Sequence, residues 1–83
     1  MKIDLRNKIH NILKMTEFKI RILSITTDYK IELLLMKKYN ANIDYQRQYT
    51  EYTFTTSEDK EEVRKELLRI FHDDWQKPII EYN

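Results

Sequence analysis

The residues equipped for chemistry in this 83-residue chain fall into three groups. The first is the triplet His72-Asp73-Asp74, with His10 the one other histidine. Imidazole beside carboxylates is the donor set of a zinc or similar divalent site. On a helix, however, successive residues project about 100° apart, so three neighbours cannot converge on one ion. His10 and a further ligand would have to arrive from elsewhere in the chain. The triplet reads more simply as a solvated last turn ahead of Pro78, and no metal is expected.

The second group is the carboxylate run Glu58, Asp59, Glu61, Glu62 and Glu66. Paired acid–base catalysis needs two carboxylates whose surroundings separate their pKa values, usually in a cleft. These residues instead match the water-facing side of an amphipathic helix, with Glu61–Lys65 at i, i+4. Glu62 and Glu66 form a like-charged pair at the same spacing, which hints that negative surface there has a use. The third group is aromatic and basic. Tyr45 and Tyr49 flank Arg47, and Lys19, Arg21 and Lys30 fall on apolar–polar alternating stretches. Such a sheet face stacks and holds single-stranded nucleic acid in several small domains. Tyr also has high strand propensity and is enriched in protein interfaces, and no ribonucleoprotein-type motif is present.

Two absences narrow the field. The chain has no glycine, so a phosphate-cradling loop, a dinucleotide fingerprint and a nucleophile elbow are all missing their backbone requirement. It has no cysteine either, which removes disulfides, thiolate metal sites and thiol nucleophiles. No cofactor is expected, and the chain reads as a binding protein rather than an enzyme. Net charge is +1, yet residues 1–50 carry ten Lys/Arg against five Asp/Glu and residues 51–83 carry five against nine. Polarity of this kind steers partners more than it shapes a fold. No apolar run approaches the roughly 20 residues that cross a bilayer, no signal peptide is recognisable, and a cytoplasmic location is expected.

The elements that would position these residues follow from periodicity. Asp4 caps an opening helix with the stripe Leu5, Ile9, Ile12 and Leu13. Phe18, Ile20 and Ile22 alternate with Lys19 and Arg21, describing a strand. After a turn at Thr26-Thr27-Asp28, the alternation of Tyr29, Ile31, Leu33 and Leu35 predicts a second strand, and Lys37 to Asp44 reads as loop. The third strand changes phase between Tyr49 and Tyr52, which a β-bulge near Thr50-Glu51 would reconcile. Thr56-Ser57-Glu58-Asp59 has the form of a capping box for a helix whose stripe is Val63, Leu67, Ile70 and Phe71, widened by Leu68 and Trp75 and ended by Pro78. The tail Ile79–Tyr82 is apolar enough to seat on the domain or on a partner. The expected fold is one small α+β domain over residues 1–83: helix, three-stranded antiparallel sheet, helix, or αβββα.

This layout, with Ile3-Asp4-Leu5 and the Ile9 stripe at one end and Val63-Arg64-Lys65 through Ile70-Phe71-His72-Asp73-Asp74-Trp75 at the other, resembles a family of small phage-encoded anti-CRISPR proteins that inhibit type II CRISPR nucleases. The resemblance implies a protein inhibitor that fills the nuclease's DNA-motif site with acidic surface, acting in the host cytoplasm. On this chain that surface is Glu58, Glu61, Glu62, Asp73 and Asp74. Two other readings stand beside it. One is a nucleic-acid-binding module using Lys19, Arg21, Lys30, Tyr45, Arg47 and Tyr49. The other is a homodimer in which the Ile79–Tyr82 tail adds to a neighbour's sheet edge.

Overall fold

The computed structural model describes residues 15–83. The expected opening helix from Asp4 to Leu13, and His10 within it, lie outside the described residues. β1 (Thr16–Leu23) obeys the alternation of its sequence: Phe18, Ile20 and Ile22 are buried, while Glu17, Lys19 and Arg21 point to the other face. A 3-10 turn, Ser24–Thr26, closes the strand.

The expected second strand is a helix, α1 (Tyr29–Tyr39). Its residues satisfy two periods at once, and the one that buries more wins. Ile31, Leu35 and Tyr39 recur at i, i+4, i+8, and these three are buried whereas Tyr29 is exposed. The ends agree with the helical choice. The Asp28 carboxylate accepts from the Lys30 amide at 2.9 Å, and Asn40 terminates the helix in the left-handed region at φ 55°. The expected loop from Lys37 to Asp44 is therefore the last turn of α1, its cap and a new strand.

That strand, β2 (Asn42–Tyr45), forms a hairpin with β3 (Tyr49–Thr56). No bulge interrupts it: the register runs unbroken from Asn42 opposite Thr53 to Tyr45 opposite Thr50. Chain reversal at Gln46–Gln48, closed by the Gln46 amide donating to the Tyr49 carbonyl at 2.9 Å, produces the phase change that resembled a bulge. α2 (Lys60–Ile70) starts three residues later than the capping box suggests. Asp59 is its cap, accepting from the Glu61 and Glu62 amides at 2.9 and 3.2 Å, while the Thr56 hydroxyl accepts from the Glu58 amide in the preceding turn. The helix ends at Ile70 rather than at Pro78, because Phe71 turns extended to reach the core. A single turn, α3 (Asp73–Gln76), follows, and Lys77 in a left-handed conformation leads through Pro78 into β4 (Ile79–Tyr82). The tail is thus a strand of the domain's own sheet, paired antiparallel with β1.

The sheet order is β2-β3-β1-β4 with every neighbouring pair antiparallel. Together with the chain order βαββαβ, this is the split β-α-β, or ferredoxin-like, arrangement. The α+β class stands, and the three-stranded αβββα layout gives way to four strands among the described residues. Ile31, Leu35 and Tyr39 of α1 and Val63, Leu67 and Phe71 join Phe18, Ile20, Ile22, Tyr52 and Phe54 in one core. Within it Phe54 stacks on Tyr39 at 4.3 Å and on Phe18 at 5.3 Å between ring centroids. Both long helices therefore cover the same face, and the opposite face carries none of the described helices.

Leu67 is fully buried at the centre of α2's apolar stripe. Leu67→Ala is expected to lower stability by about 2–5 kcal/mol, read as the shift of the urea midpoint. An unchanged midpoint would mean that α2 is not seated on the sheet.

Candidate functional site

The acidic set does not form one surface. Glu58, Glu61 and Glu62 lie at the start of α2, whereas Asp73 and Asp74 follow its end. Ten residues, 63–72, separate Glu62 from Asp73 and include most of α2, a helix on the order of 15 Å long at 1.5 Å per residue. The individual carboxylates have local partners. Glu61 accepts from the Tyr82 hydroxyl at 3.1 Å, which raises the tyrosine above its ordinary pKa, and Glu62 pairs with Lys65 at 3.6 Å. The expected Glu61–Lys65 pair is replaced by that contact. Glu66 turns away from Glu62 and pairs with Lys38 of α1 across the two helices. Its role is therefore to join elements, and the supposed like-charged pair needs no functional cause.

The basic and aromatic set divides between the two faces. Lys19, Arg21 and Tyr49 share the bare face, Arg47 sits exposed on the hairpin turn, and Lys30 lies on α1. Tyr45 opposes Thr50 on the helix side. The cations on the bare face are balanced in place. Glu51 accepts from the Arg21 guanidinium at 3.1 Å and stands 4.0 Å from the Lys19 ammonium, and the hydrogen bond raises Arg21 above its ordinary pKa. Arg21 also lies over the Tyr49 ring, 5.2 Å from its centroid. Register places Glu17, Asp44 and Glu81 on this face too, giving four carboxylates against two cations. At the middle of the two central strands, where a single-strand RNA platform carries stacking aromatics, this face has the Arg21–Glu51 pair, Lys19 and Thr53, and Tyr49 at the start of β3 lies under Arg21.

Sequence reasoning missed a polar cluster beneath the other face. Glu32, in the first turn of α1, is 6% exposed and accepts from the Tyr45 hydroxyl at 2.7 Å and the Tyr52 hydroxyl at 3.0 Å. Burial, and then the bond to Glu32, push the Tyr52 phenol far above its ordinary value of 10.0. Tyr45 is raised as well, chiefly by its hydrogen bond to Glu32. Reading residues 29–35 as a strand hid this cluster, since only a helix puts Glu32 on the same side as Ile31 and Leu35.

It also missed where the exposed apolar side chains collect. Leu23, Ile25, Tyr29, Tyr49, Trp75 and Ile79 all lie at the end of the domain where β1 stops, β3, β4 and α1 start, and α3 sits. Ile25 is 85% exposed, Tyr29 72% and Trp75 59%. These side chains stand on fixed supports. The Ser24 amide donates to the Gln48 carbonyl at 3.1 Å and the Ser24 hydroxyl to the Gln46 carbonyl at 2.7 Å, tying the 3-10 turn to the hairpin. The Thr26 hydroxyl closes the turn onto the Leu23 carbonyl at 2.6 Å. Gln76, 1% exposed, donates to the Thr26 carbonyl at 3.0 Å and accepts from the His72 amide at 2.8 Å, which fixes α3, and Trp75 with it, against the same turn. The sequence signal for this was the spacing Ser24, Thr26, Asp28: hydroxyls that close a turn, then a cap for a helix.

His72 precedes α3 as its cap residue, and no group of three or more potential metal ligands comes together among the described residues. None of the described helices is long and apolar enough to cross a membrane. Comparison with protein-family models, curated proteins and solved structures finds no match to this chain.

Two measurements check the polar framework. Tyr52 keeps its proton in the folded state at a pH where the unfolded chain loses it. Its contribution is therefore whole below the ordinary value of 10.0 and is lost as pH rises past it. Urea midpoints should fall from neutral pH to about pH 11, and Tyr52→Phe should flatten that alkaline slope. Gln76→Ala leaves the Thr26 carbonyl and the His72 amide without their partner and should cost about 1–3 kcal/mol. Faster hydrogen exchange at the amides of α3 would accompany it, and unaltered exchange would count against the role given to Gln76.

Proposed function

We propose that this chain acts by binding, as a protein-binding module that presents its apolar end to a partner. The observation that carries the reading is Ile25, 85% exposed on a turn that hydrogen bonds to the hairpin and to Gln76 hold in place. Single exposed apolar residues are common on any protein. Here six collect at one end of the domain around a turn braced by hydrogen bonds, and covering a side chain of this size is worth about 1.5–3 kcal/mol. Tyr, Trp and an adjacent Arg are also the residue types that dominate protein-interface energetics. Rigid support reduces the ordering cost that a floppy apolar loop would bring to association.

Inhibition of a host defence nuclease, which the anti-CRISPR resemblance implies, is one form of this reading. The separation of Glu58, Glu61 and Glu62 from Asp73 and Asp74 favours the apolar end over the carboxylates as the contact. A nucleic-acid module is less well supported, because the face bearing Lys19 and Arg21 has more carboxylates than cations.

The test is retention of protein on the immobilised chain from a bacterial lysate that also contains the untagged chain. Wild type should retain a defined protein. Ile25→Asp with Trp75→Ser should lose it at unchanged melting temperature, and Glu58, Glu61 and Glu62 reversed to Lys should keep it. Retention by the apolar-end variant, or recovery of nucleic acid alone, would sink the proposal.

A further inference from the structure

One face of the sheet is covered by α1 and α2, and the other carries none of the described helices. Six charged side chains share that bare face: Glu17, Lys19 and Arg21 of β1, Asp44 of β2, Glu51 of β3 and Glu81 of β4. Glu51 already engages both cations. Glu17, Asp44 and Glu81 form no ion pair with a described residue. Arg47 and Lys77 stand on connections at the end where β3 and β4 start, so neither relieves Glu17 at the other end.

The cations this face lacks occur in the chain just ahead of it. Residues 1–14 carry Lys2, Arg6, Lys8 and Lys14 against Asp4 alone, whereas residues 15–83 carry eleven Lys/Arg against thirteen Asp/Glu. That count takes in every charged side chain, so no choice of neighbours produces the contrast. Residues 1–14 join the sheet through Met15, 44% exposed, directly ahead of β1, which lies inside the sheet. From that junction fourteen residues reach about 21 Å even at the 1.5 Å per residue of a helix, against about 26 Å for the eight residues of β1.

We infer that residues 1–14 dock on the bare face of the sheet, with their cations against Glu17, Asp44 and Glu81. Leu23 and Tyr49 face each other on this side of the ladder and Ile79 lies opposite Arg21, which gives Leu5, Ile9, Ile12 and Leu13 apolar ground among the charges. Ile25 and Trp75, which carry the binding role above, stand on the 3-10 turn and on α3 and not on these strands. A tethered segment competes at an effective concentration on the order of 1 mM. A basic partner from solution must bind the face more tightly than that to displace it, so the chain shields this face from loose cationic contacts.

The chain has no cysteine, so one nitroxide can be placed at a chosen residue, and two-dimensional NMR of the full chain reads which amides it bleaches. A label at Thr53→Cys, in the middle of the bare face, should bleach the amide signals of residues 5–12. A label at Arg64→Cys, exposed on α2, should leave them. Raising salt to about 1 M cuts the screening length to about 3 Å and should restore most of the bleached signal. Glu17→Lys with Glu81→Lys should do the same at low salt. Dispersion of the amide signals establishes that each variant is folded, and should the double reversal unfold, the salt series on the Thr53 label carries the charge test. Signals of residues 5–12 untouched by the Thr53 label overturn the inference. Equal bleaching from Arg64 also overturns it, by placing the segment against the carboxylates at the start of α2 or at no fixed site. Bleaching that neither salt nor the reversals relieve overturns the charge match on which the inference stands.

Discussion

The carboxylate of Glu32 is the constraint on which the arrangement of elements depends. It is buried, and no Lys, Arg or His among the described residues forms an ion pair with it. A charge in that position is tolerable only if its oxygens accept hydrogen bonds, because an unpaired buried carboxylate costs several kcal/mol. Tyr52 supplies one donor from β3 and Tyr45 the other from β2. Those two residues are diagonal neighbours, with Ile43 opposite Tyr52 and Tyr45 opposite Thr50. A slip of one residue between the strands would turn Tyr45 to the bare face and strand an oxygen of Glu32. One side chain thus ties the hairpin register to the seating of α1, and through α1 to the turn that carries Ile25.

What was legible in the sequence was whatever one period alone could satisfy. Phe18, Ile20 and Ile22 fit a strand and nothing else, and Val63, Leu67 and Phe71 fit a helix, so β1 and α2 were readable. Residues 29–35 fit both periods. The arbiter there was Asp28 with Asn40, a cap pair spaced for a helix, and neither residue belongs to the apolar pattern. The hairpin was obscure for a related reason. A turn built from Gln46, Arg47 and Gln48 has none of the usual punctuation, so its reversal of phase resembled a fault within one strand. Of the candidate site, the chemical types were visible and their grouping was not. Asp73 and Glu62 are alike in chemistry and lie beyond opposite ends of most of α2, whereas Ile25 and Trp75 are distant in sequence and are brought to one end by Gln76.

A chain with no glycine must find other residues for its sharp turns, and it does so sparingly. Among the described residues only Asn40 and Lys77 have positive φ, at 55° and 49°. Asn tolerates that region through its short polar side chain, but Lys brings a Cβ penalty of roughly 1–2 kcal/mol. Lys77 is held there by its surroundings: Gln76 is anchored on one side and Pro78 begins the approach to β4 on the other. The same anchor that fixes α3 therefore sets the strand that completes the sheet.

The placement of β1 has a consequence for how the molecule comes to exist in time. It is the earliest described strand, yet it lies inside the sheet, between β3 and β4. Thr16 waits for Thr56, and Phe18 waits for both Phe54 and Tyr82. Such distant pairings close large loops before any contact repays them, which slows folding. On a ribosome, one edge of β1 would face water from the moment it emerges until Ile79–Tyr82 has been made. Glu17, Lys19 and Arg21, alternating with its apolar residues, would then serve as the charges that discourage a growing strand from pairing with the wrong neighbour. A pattern written for the finished sheet would thus protect the unfinished one.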